Sequence, residues 1–479
     1  MNGVLPAFSR GCLLFFIILL KKGNKRGTER NICQQDFPDF RTFRKTAQAL
    51  RMIHWQPGFS RYPFFKHQRQ LPRLMIHSTL PTTSEFKMSL EVHAPEEKAG
   101  IGREIAGAGP WQVRWIDSVR ELESLSPAWQ ELAEKAICRN VAMEPRFLVP
   151  AWKHLADVKV RVLVVQSGEQ LLALLPLVKK TLFRLPVAAM EVWRHEQCFD
   201  ATPLLRREVA GQVWQQIVDF LHAEGLGLLS LDLVNAEPRF DSILSTCCRE
   251  SGLPLFSKQR FERAAIRPYT GAAEYLEKHA SKNLRKTTRR QLRRLENLGN
   301  LTVSYSTPDS DFSAWAREFL ELEKSGWKGL HQTALGSRES TTRFYEELIS
   351  RSVPENGARF LALRMNGRPI AMLSDLAADD QAWCYKTAYD ESFADFSPGL
   401  LAEIRNIDYL HRDGIRFADS CTAADNSTLN RLWGERVKFQ HAVVALRPGL
   451  PTWVIRSLPL AQRLVRRFRP GARRCSHPK

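Results

Sequence analysis

The sequence predicts an α/β protein of the α+β kind, with two successive sheets, each mixed but mostly antiparallel and flanked by helices. Two observations carry this. Hydrophobic periodicity alternates between the two-residue and helical repeats in the same element order in both halves of the 479-residue chain. In each half, short alternating runs joined by turn signals are followed by a helix and one more strand, which must return parallel to the strand before it.

The elements follow in order. In the first half, "WQVRWI" from Trp111 reads as a strand and "SVRELESLSPAWQELAEKA" as a helix. "VKVRVLVVQ" and "LLALLPLVKK" flank the turn "SGEQ" as a hairpin, and "VAAMEVW" is a further strand. The helix "EVAGQVWQQIVDFLHAEG" ends at Gly225, a C-cap residue type, before the buried strand "LGLLSLDLV" and the helix "RFDSILSTCCRESG". In the second half, "DFSAWAREFLELEKSGW" and "TTRFYEELISRSV" read as helices. "ARFLALRM" and "RPIAMLSDLAA" flank Asn366-Gly367, a dipeptide that accepts the positive φ angles of a tight hairpin. "QAWCYKTAYD" is the next strand, a loop and helix follow to Gly414, and "IRFADS" closes the series. Between the halves, residues 274–299 read as one long helix on which Lys282, Arg285, Lys286, Arg289, Arg290, Arg293 and Arg294 share a face.

Charge is concentrated at the ends. The formal charge is +19, with 44% apolar and 25% charged residues. Residues 1–87 hold 15 Lys/Arg against 4 Asp/Glu, residues 450–479 hold 8 against none, and residues 88–449 hold 47 of each sign. A neutral body gives no overall polyanion-attracting field, which argues against a nucleic-acid partner. The apolar run Cys12–Leu20 is too short to span a bilayer and lacks a signal peptide's cleavage site. "MSLEVHAPEEKAG" from Met88 reads as a natural start, with residues 1–87 a disordered basic leader or upstream sequence. The nine cysteines form no C-x-x-C pair, which fits a reducing, cytoplasmic compartment, and no Cys/His spacing predicts a metal site. The tail from Pro451 mixes Trp453, Leu458 and Leu464 with arginines, so it is a candidate for peripheral membrane contact or a solubilising tail.

One candidate site stands out. Ser397-Pro398-Gly399 begins a helix after the strand ending at Tyr389-Asp390. A helix start presents unpaired N–H groups and partial positive charge, favourable to phosphate. Ser397 is a natural N-cap, Pro398 suits the first turn, and Gly399 keeps side-chain bulk away, so a phosphate-bearing ligand would sit at Ser397–Leu400. Tyr389, Asp390 and Asp419 fall at strand ends beside it. Asp390, Glu391 or Asp419 is the candidate general base there and Tyr389 the candidate general acid. Lys386 would hold an acidic group or pair with a carboxylate. Glu323, Trp327 and Lys328, at a helix end before a glycine-flanked loop, are acceptor-platform candidates, with core closure the other reading of Trp327. The stripe containing Arg285 and Arg289 would meet an anionic substrate, a donor's phosphates or a membrane, or be a solvated face. Mid-strand Cys384 is read as core, not nucleophile.

The ordered set "LELEKSGWKG", "FYEELI", "YKTAYDESFADFSPG" and "FADS", following "SKNLRKTTRRQLRRLENLG", resembles the CelD/BcsL-type acetyltransferases of cellulose and exopolysaccharide biosynthesis, within the GNAT superfamily. "PAWQELAEKA", "MEPRFLVPAWKHLA", "LLALLPLV" and "CFDATPLL" extend the resemblance to about residues 111–447. It implies tandem GNAT-like (acyl-CoA N-acyltransferase) domains related to Fem aminoacyltransferases, with a degenerate copy at 111–265, a connecting basic helix and strand at 266–310, and the acyltransferase domain at 311–448. A linker at 88–110 and a basic amphipathic tail at 449–479 flank them. Acetyl-CoA or another acyl-CoA is implied as co-substrate, with no permanently bound cofactor, and a sugar or amine as small-molecule acceptor. Association with a polysaccharide synthase follows from the same setting. The loop "ESFADFSPG" departs from the usual GNAT pyrophosphate loop: it has one glycine and no basic residue. A Fem-like, aminoacyl-tRNA-dependent transferase and a catalytically silent binding or scaffold module are the alternative readings.

Overall fold

A computed structural model describes residues 111–182, 187–267 and 271–468, with side chains to Pro459. The leader, the linker and the end of the basic tail lie outside the described residues. The strands are β1 (Gln112–Ile116), β2 (Val160–Ser167), β3 (Gln170–Thr181), β4 (Ala188–Val192), β5 (Leu204–Leu205), β6 (Leu228–Asn235), β7 (Leu255–Ile266), β8 (Leu301–Tyr305), β9 (Ala358–Met365), β10 (Arg368–Ala378), β11 (Gln381–Tyr389), β12 (Phe417–Asp419) and β13 (Glu435–Ala445).

They form one 13-stranded sheet in the order β1-β2-β3-β4-β6-β13-β7-β12-β11-β10-β9-β8, with β5 beside β3. Pairing is antiparallel except at two places, β4 with β6 and β11 with β12. These are the two strands that had to return parallel after a helix. The expected boundary near residue 265 does not separate two sheets. β7, from the first half, lies between β12 and β13; β13, from the second, lies between β6 and β7. Each half completes the other's sheet, so one sheet runs through both. The exchange removes two sheet edges that would otherwise expose unpaired N–H and C=O groups.

Local chemistry explains most elements. Asn366 and Gly367 take φ values of 50° and 84°, the tight hairpin their residue types predict, and Gly225 ends its helix at φ 80°. Two predicted helices are broken. Leu125 separates Val119–Ser124 from Ser126–Glu134, where Pro127 fits the first turn of a new helix. The long inter-half helix is two, Ala272–His279 and Lys282–Glu296, because Ser281 caps the second through Leu284 N–H.

Across the two halves, helices Pro145–Leu155 and Glu339–Ser352 pack on each other. Phe147 meets the edge of Phe344 at 5.4 Å and of Tyr385 at 5.9 Å, so the apolar core of both halves is continuous. Among the described residues no helix is long and apolar enough to cross a membrane.

Candidate active site between the two halves

β11 and β12 stay in register only from Gln381↔Phe417 to Trp383↔Asp419. β12 then stops, β11 continues to Tyr389, and a gap opens between them. Into this gap Lys328 extends its amine, which donates to the Thr387 carbonyl at 2.9 Å and to Glu323 at 2.7 Å. A strand residue's N–H and C=O point to the same side, so the Thr387 N–H faces the gap as well.

Beyond the end of β12 lies a cavity of about 390 Å3. Tyr385 and Lys386 of β11 and Cys421 and Thr422 beyond β12 form one end. Arg194, Glu196 and Gln197, from the loop after β4, form a wall. The floor comes from the exchanged strands: Gln259, Phe261 and Arg263 of β7 and His441 of β13. Phe261 stacks on both Phe439 and His441, with centroids 5.9 and 5.4 Å apart.

Of the predicted residues, Lys386 lines this cavity. Burial pushes its ammonium down to about 8, opposed by the Glu323 carboxylate. Glu323 is 4% exposed and accepts from Lys328 and from Leu335 N–H. Burial raises its carboxyl, but the charges of Lys328 and Lys386 and those hydrogen bonds outweigh it and hold the group below the usual range. The Glu323–Lys328 pair is therefore an internal charge support beneath β11, and not an exposed platform. Trp327 is half-buried, and its N–H donates to Glu391 Oε1 at 2.6 Å.

The expected bases are occupied. Asp419 is 2% exposed, and Arg263 grips both its oxygens at 2.6 Å while Cys421 N–H donates to one of them. A carboxylate in a buried bidentate pair holds β12 to β7 and is poorly placed to take a proton. Asp390 accepts from Ser392 N–H and Oγ, capping the turn Glu391–Phe396. Tyr389 is half-buried among the apolar residues beside that turn, and burial raises its hydroxyl. None of the three lines the cavity.

The helix start behaves differently from its expected chemistry. Ser397 sits at φ 52°, makes no side-chain cap, and its Oγ accepts from Gln291 at 3.0 Å. Pro398 and Leu400 are buried, Leu400 within the apolar core. A Cβ on Gly399 would meet Tyr389 Cδ1 at 3.5 Å and Thr387 Cγ2 at 3.7 Å, ordinary contacts. The helix Pro398–Arg412 thus begins without a side-chain cap hydrogen bond, which leaves its first N–H groups to pair with an anion. The basic helix docks on the preceding loop: Gln291 reaches Ser397 and Asp395, and Arg294 lies 4.8 Å from the Phe396 ring. Arg285 instead approaches Glu277 at 3.7 Å, and Arg289 is exposed.

The sequence reading missed a buried polar network under this helix. Asp375 Oδ2 accepts from Asn406 at 2.9 Å and faces Cys384 Sγ at 3.5 Å, while Glu403 accepts from Thr387 Oγ1 at 3.1 Å. Burial pushes Asp375 up to about 6 and, together with the Asp375 charge, Glu403 up to about 8. Burial also raises the Cys384 thiol far above its ordinary value, which fits its reading as core. The signal for Glu403 was present, as the one carboxylate on the apolar face of "LLAEIRNI". Among the described residues no His/Cys/Asp/Glu cluster has metal-binding geometry.

Residues 282–426 match the family described as Acetyltransferase (GNAT) domain. No match was found among curated proteins. Among solved structures the chain is similar to FemX, at 11% identity over 74% of this chain and 99% of that one, with a TM-score of 0.46. It is also similar to a conserved protein of unknown function from Bacteroides thetaiotaomicron VPI-5482, at 12% over 70% and 100%, with a TM-score of 0.44. A tandem GNAT protein from the clavulanic acid biosynthesis pathway is similar at 13% over 71% and 100%, with a TM-score of 0.35. Residues 282–426 thus resemble a GNAT acetyltransferase domain, and the sheet they contribute to is mixed, largely antiparallel and flanked by helices.

Proposed function

We propose that the protein is an acyltransferase that moves an acetyl or longer acyl group from acyl-CoA to an amine or hydroxyl of a small acceptor. The observation that carries this reading is the gap between the parallel strands β11 and β12, which opens beside an uncapped helix start, with a cavity of about 390 Å3 beyond the end of β12. A thioester lying in that gap would meet the Thr387 N–H, a donor suited to the developing oxyanion. The donor's phosphates would lie at the start of helix Pro398–Arg412, next to the basic helix. Lys386, with its lowered proton affinity, is placed to hold an acidic group of the acceptor or to protonate the departing thiolate. The acceptor would enter from the side of Arg194 and Gln197. The resemblance to CelD/BcsL-type enzymes adds a setting, cellulose or exopolysaccharide biosynthesis with a sugar acceptor, at or near the membrane face.

Calorimetry and thermal-shift titration of the full chain with acetyl-CoA, CoA and tRNA tests the reading. Saturable stabilisation by both CoA species is expected, and its absence would sink the proposal. A second reading, transfer from aminoacyl-tRNA, is favoured by one observation: the exposed basic side chains of helix Lys282–Glu296 flank the same helix start. Stabilisation by tRNA without CoA binding would select it.

A further inference from the structure

We propose that His441, held by Asp232, is the general base that takes the proton from the acceptor's nucleophile. This rests on the acyl-CoA reading above and adds the residue that activates the acceptor.

His441 belongs to β13, the strand the second half inserts between β6 and β7. It lines the same cavity as Lys386 and Tyr385. Its side chain is 19% exposed, and Nδ1 pairs with the Asp232 carboxylate, itself 7% exposed. The Leu233 N–H also points at Nδ1, at 3.2 Å, and competes with the carboxylate for that nitrogen. The ionised carboxylate is the closer and the charged partner, so it decides the proton's place: Nδ1 carries it and Nε2 keeps a free lone pair. Burial works against ionisation of Asp232, but the His441 hydrogen bond and the Arg194 charge prevail and hold its carboxyl below the usual range. Arg194 approaches Asp232 at 3.2 Å. Among the described residues no hydrogen bond or ion pair engages His441 Nε2.

The backbone is deformed at this point. On the β6 side, pairing jumps from Gln440↔Val234 to Ala442↔Leu231, so that Asp232 and Leu233 together oppose His441. On the β7 side it jumps from His441↔Gln259 to Ala442↔Ser257. Leu233 takes φ 62°, in the left-handed region that a branched apolar residue rarely adopts. Bulges re-aim side chains, and a strained leucine persists only where its surroundings compel it. Here the distortion brings Asp232 onto the imidazole and the imidazole onto the cavity floor against Phe261.

The transfer balances. The acceptor's O–H or N–H proton passes to Nε2 as the heteroatom's lone pair forms a bond to the thioester carbonyl carbon. The tetrahedral oxyanion collapses, the C–S bond breaks with its electron pair on sulfur, and the imidazolium returns the proton to the thiolate. Asp232 is the positioning residue that fixes the tautomer and stabilises the imidazolium.

The test needs no knowledge of the acceptor. Bromoacetyl-CoA places an electrophilic carbon where the acyl group lies, and the nearest free nucleophile displaces bromide. Peptide mass mapping of the full chain is expected to find the adduct on His441. His441→Gln should abolish labelling while calorimetry shows CoA still bound. Asp232→Asn should slow labelling by about tenfold at unchanged CoA affinity, with partial recovery in Asp232→Glu. An adduct only on Cys421 or Lys386, or none despite CoA binding, overturns the assignment. An unchanged labelling rate in Asp232→Asn removes the role of Asp232. CoA that fails to bind removes the donor reading itself, a separate outcome.

Discussion

The sheet contains the same opening twice, and the two differ in what fills them. In the first half β4 and β6 run parallel from Ala189↔Leu228 to Glu191↔Ser230 and then part, as β11 and β12 do in the second. The first opening is closed by the protein's own chain. Ala201 N–H donates to the Leu233 carbonyl at 2.9 Å, and Asn235 N–H donates to Thr202 Oγ1 at 2.7 Å. Asn140 reaches the carbonyls of Asp200 and Thr202, at 3.2 and 2.8 Å. Phe199, Asp200, Ala201 and Thr202 are all buried. In the second opening the Thr387 carbonyl accepts from the amine of Lys328, with no loop strand across it among the described residues. Backbone groups at a strand end need partners. Where a loop supplies them the fold is merely completed; where none does, a ligand can.

The largest expected effect follows from the strand exchange that joins the two openings. Residues 111–266 and 267–479, produced separately, should each lack a cooperative melt by circular dichroism, because each lacks a strand of its own sheet. A cooperative melt from the first segment alone would break the comparison. Next is Asp419→Ala, which strands Arg263 as an unpaired buried charge and should cost about 3–5 kcal/mol in urea unfolding. A loss below about 1 kcal/mol would show that the pair does not anchor β12.

Glu403 gives an effect of similar size that depends on pH. Unfolded, Glu403 and Asp375 ionise at their ordinary values of 4.5 and 3.8; folded, at about 8 and about 6. The raised folded values mean that stability from these groups is complete in acid and is lost as pH rises through about 6 and about 8. Glu403→Gln should flatten that decline and stabilise the protein at pH 8.5 by on the order of 3 kcal/mol. Parallel melting curves of variant and parent across pH 5–9 would refute it. The smallest stability change is expected for Gly399→Ala, within about 0.5 kcal/mol, since its Cβ meets only ordinary contacts. The same substitution should nevertheless weaken CoA binding measurably, because the new methyl stands at the open helix start.

Much of the fold was legible in the residues. The period-two run "VKVRVLVVQ", the continuous apolar run "LLALLPLV", the Asn366-Gly367 turn and the amphipathic helices fix their own conformations through local chemistry. The two strands at the centre of the sheet were not legible. "LFSKQRFERAAI" and "ERVKFQHAVVA" are interrupted by charges, and their neighbours in the sheet are distant in sequence. The floor of the cavity was lost with them, including Arg263 and His441.

The same division runs through the candidate site. Residue type and order determined the strand–loop–helix cradle at Tyr389–Leu400 and the basic helix beside the inter-half junction, because caps, turns and periodicity act over a few residues. Only the tertiary structure decided which carboxylates are free. Asp419 is consumed by Arg263, 156 positions away, and Asp232 is set against His441, from the other half of the chain. A charge's role depends on its burial and on which partner reaches it, and both are set by the strand exchange.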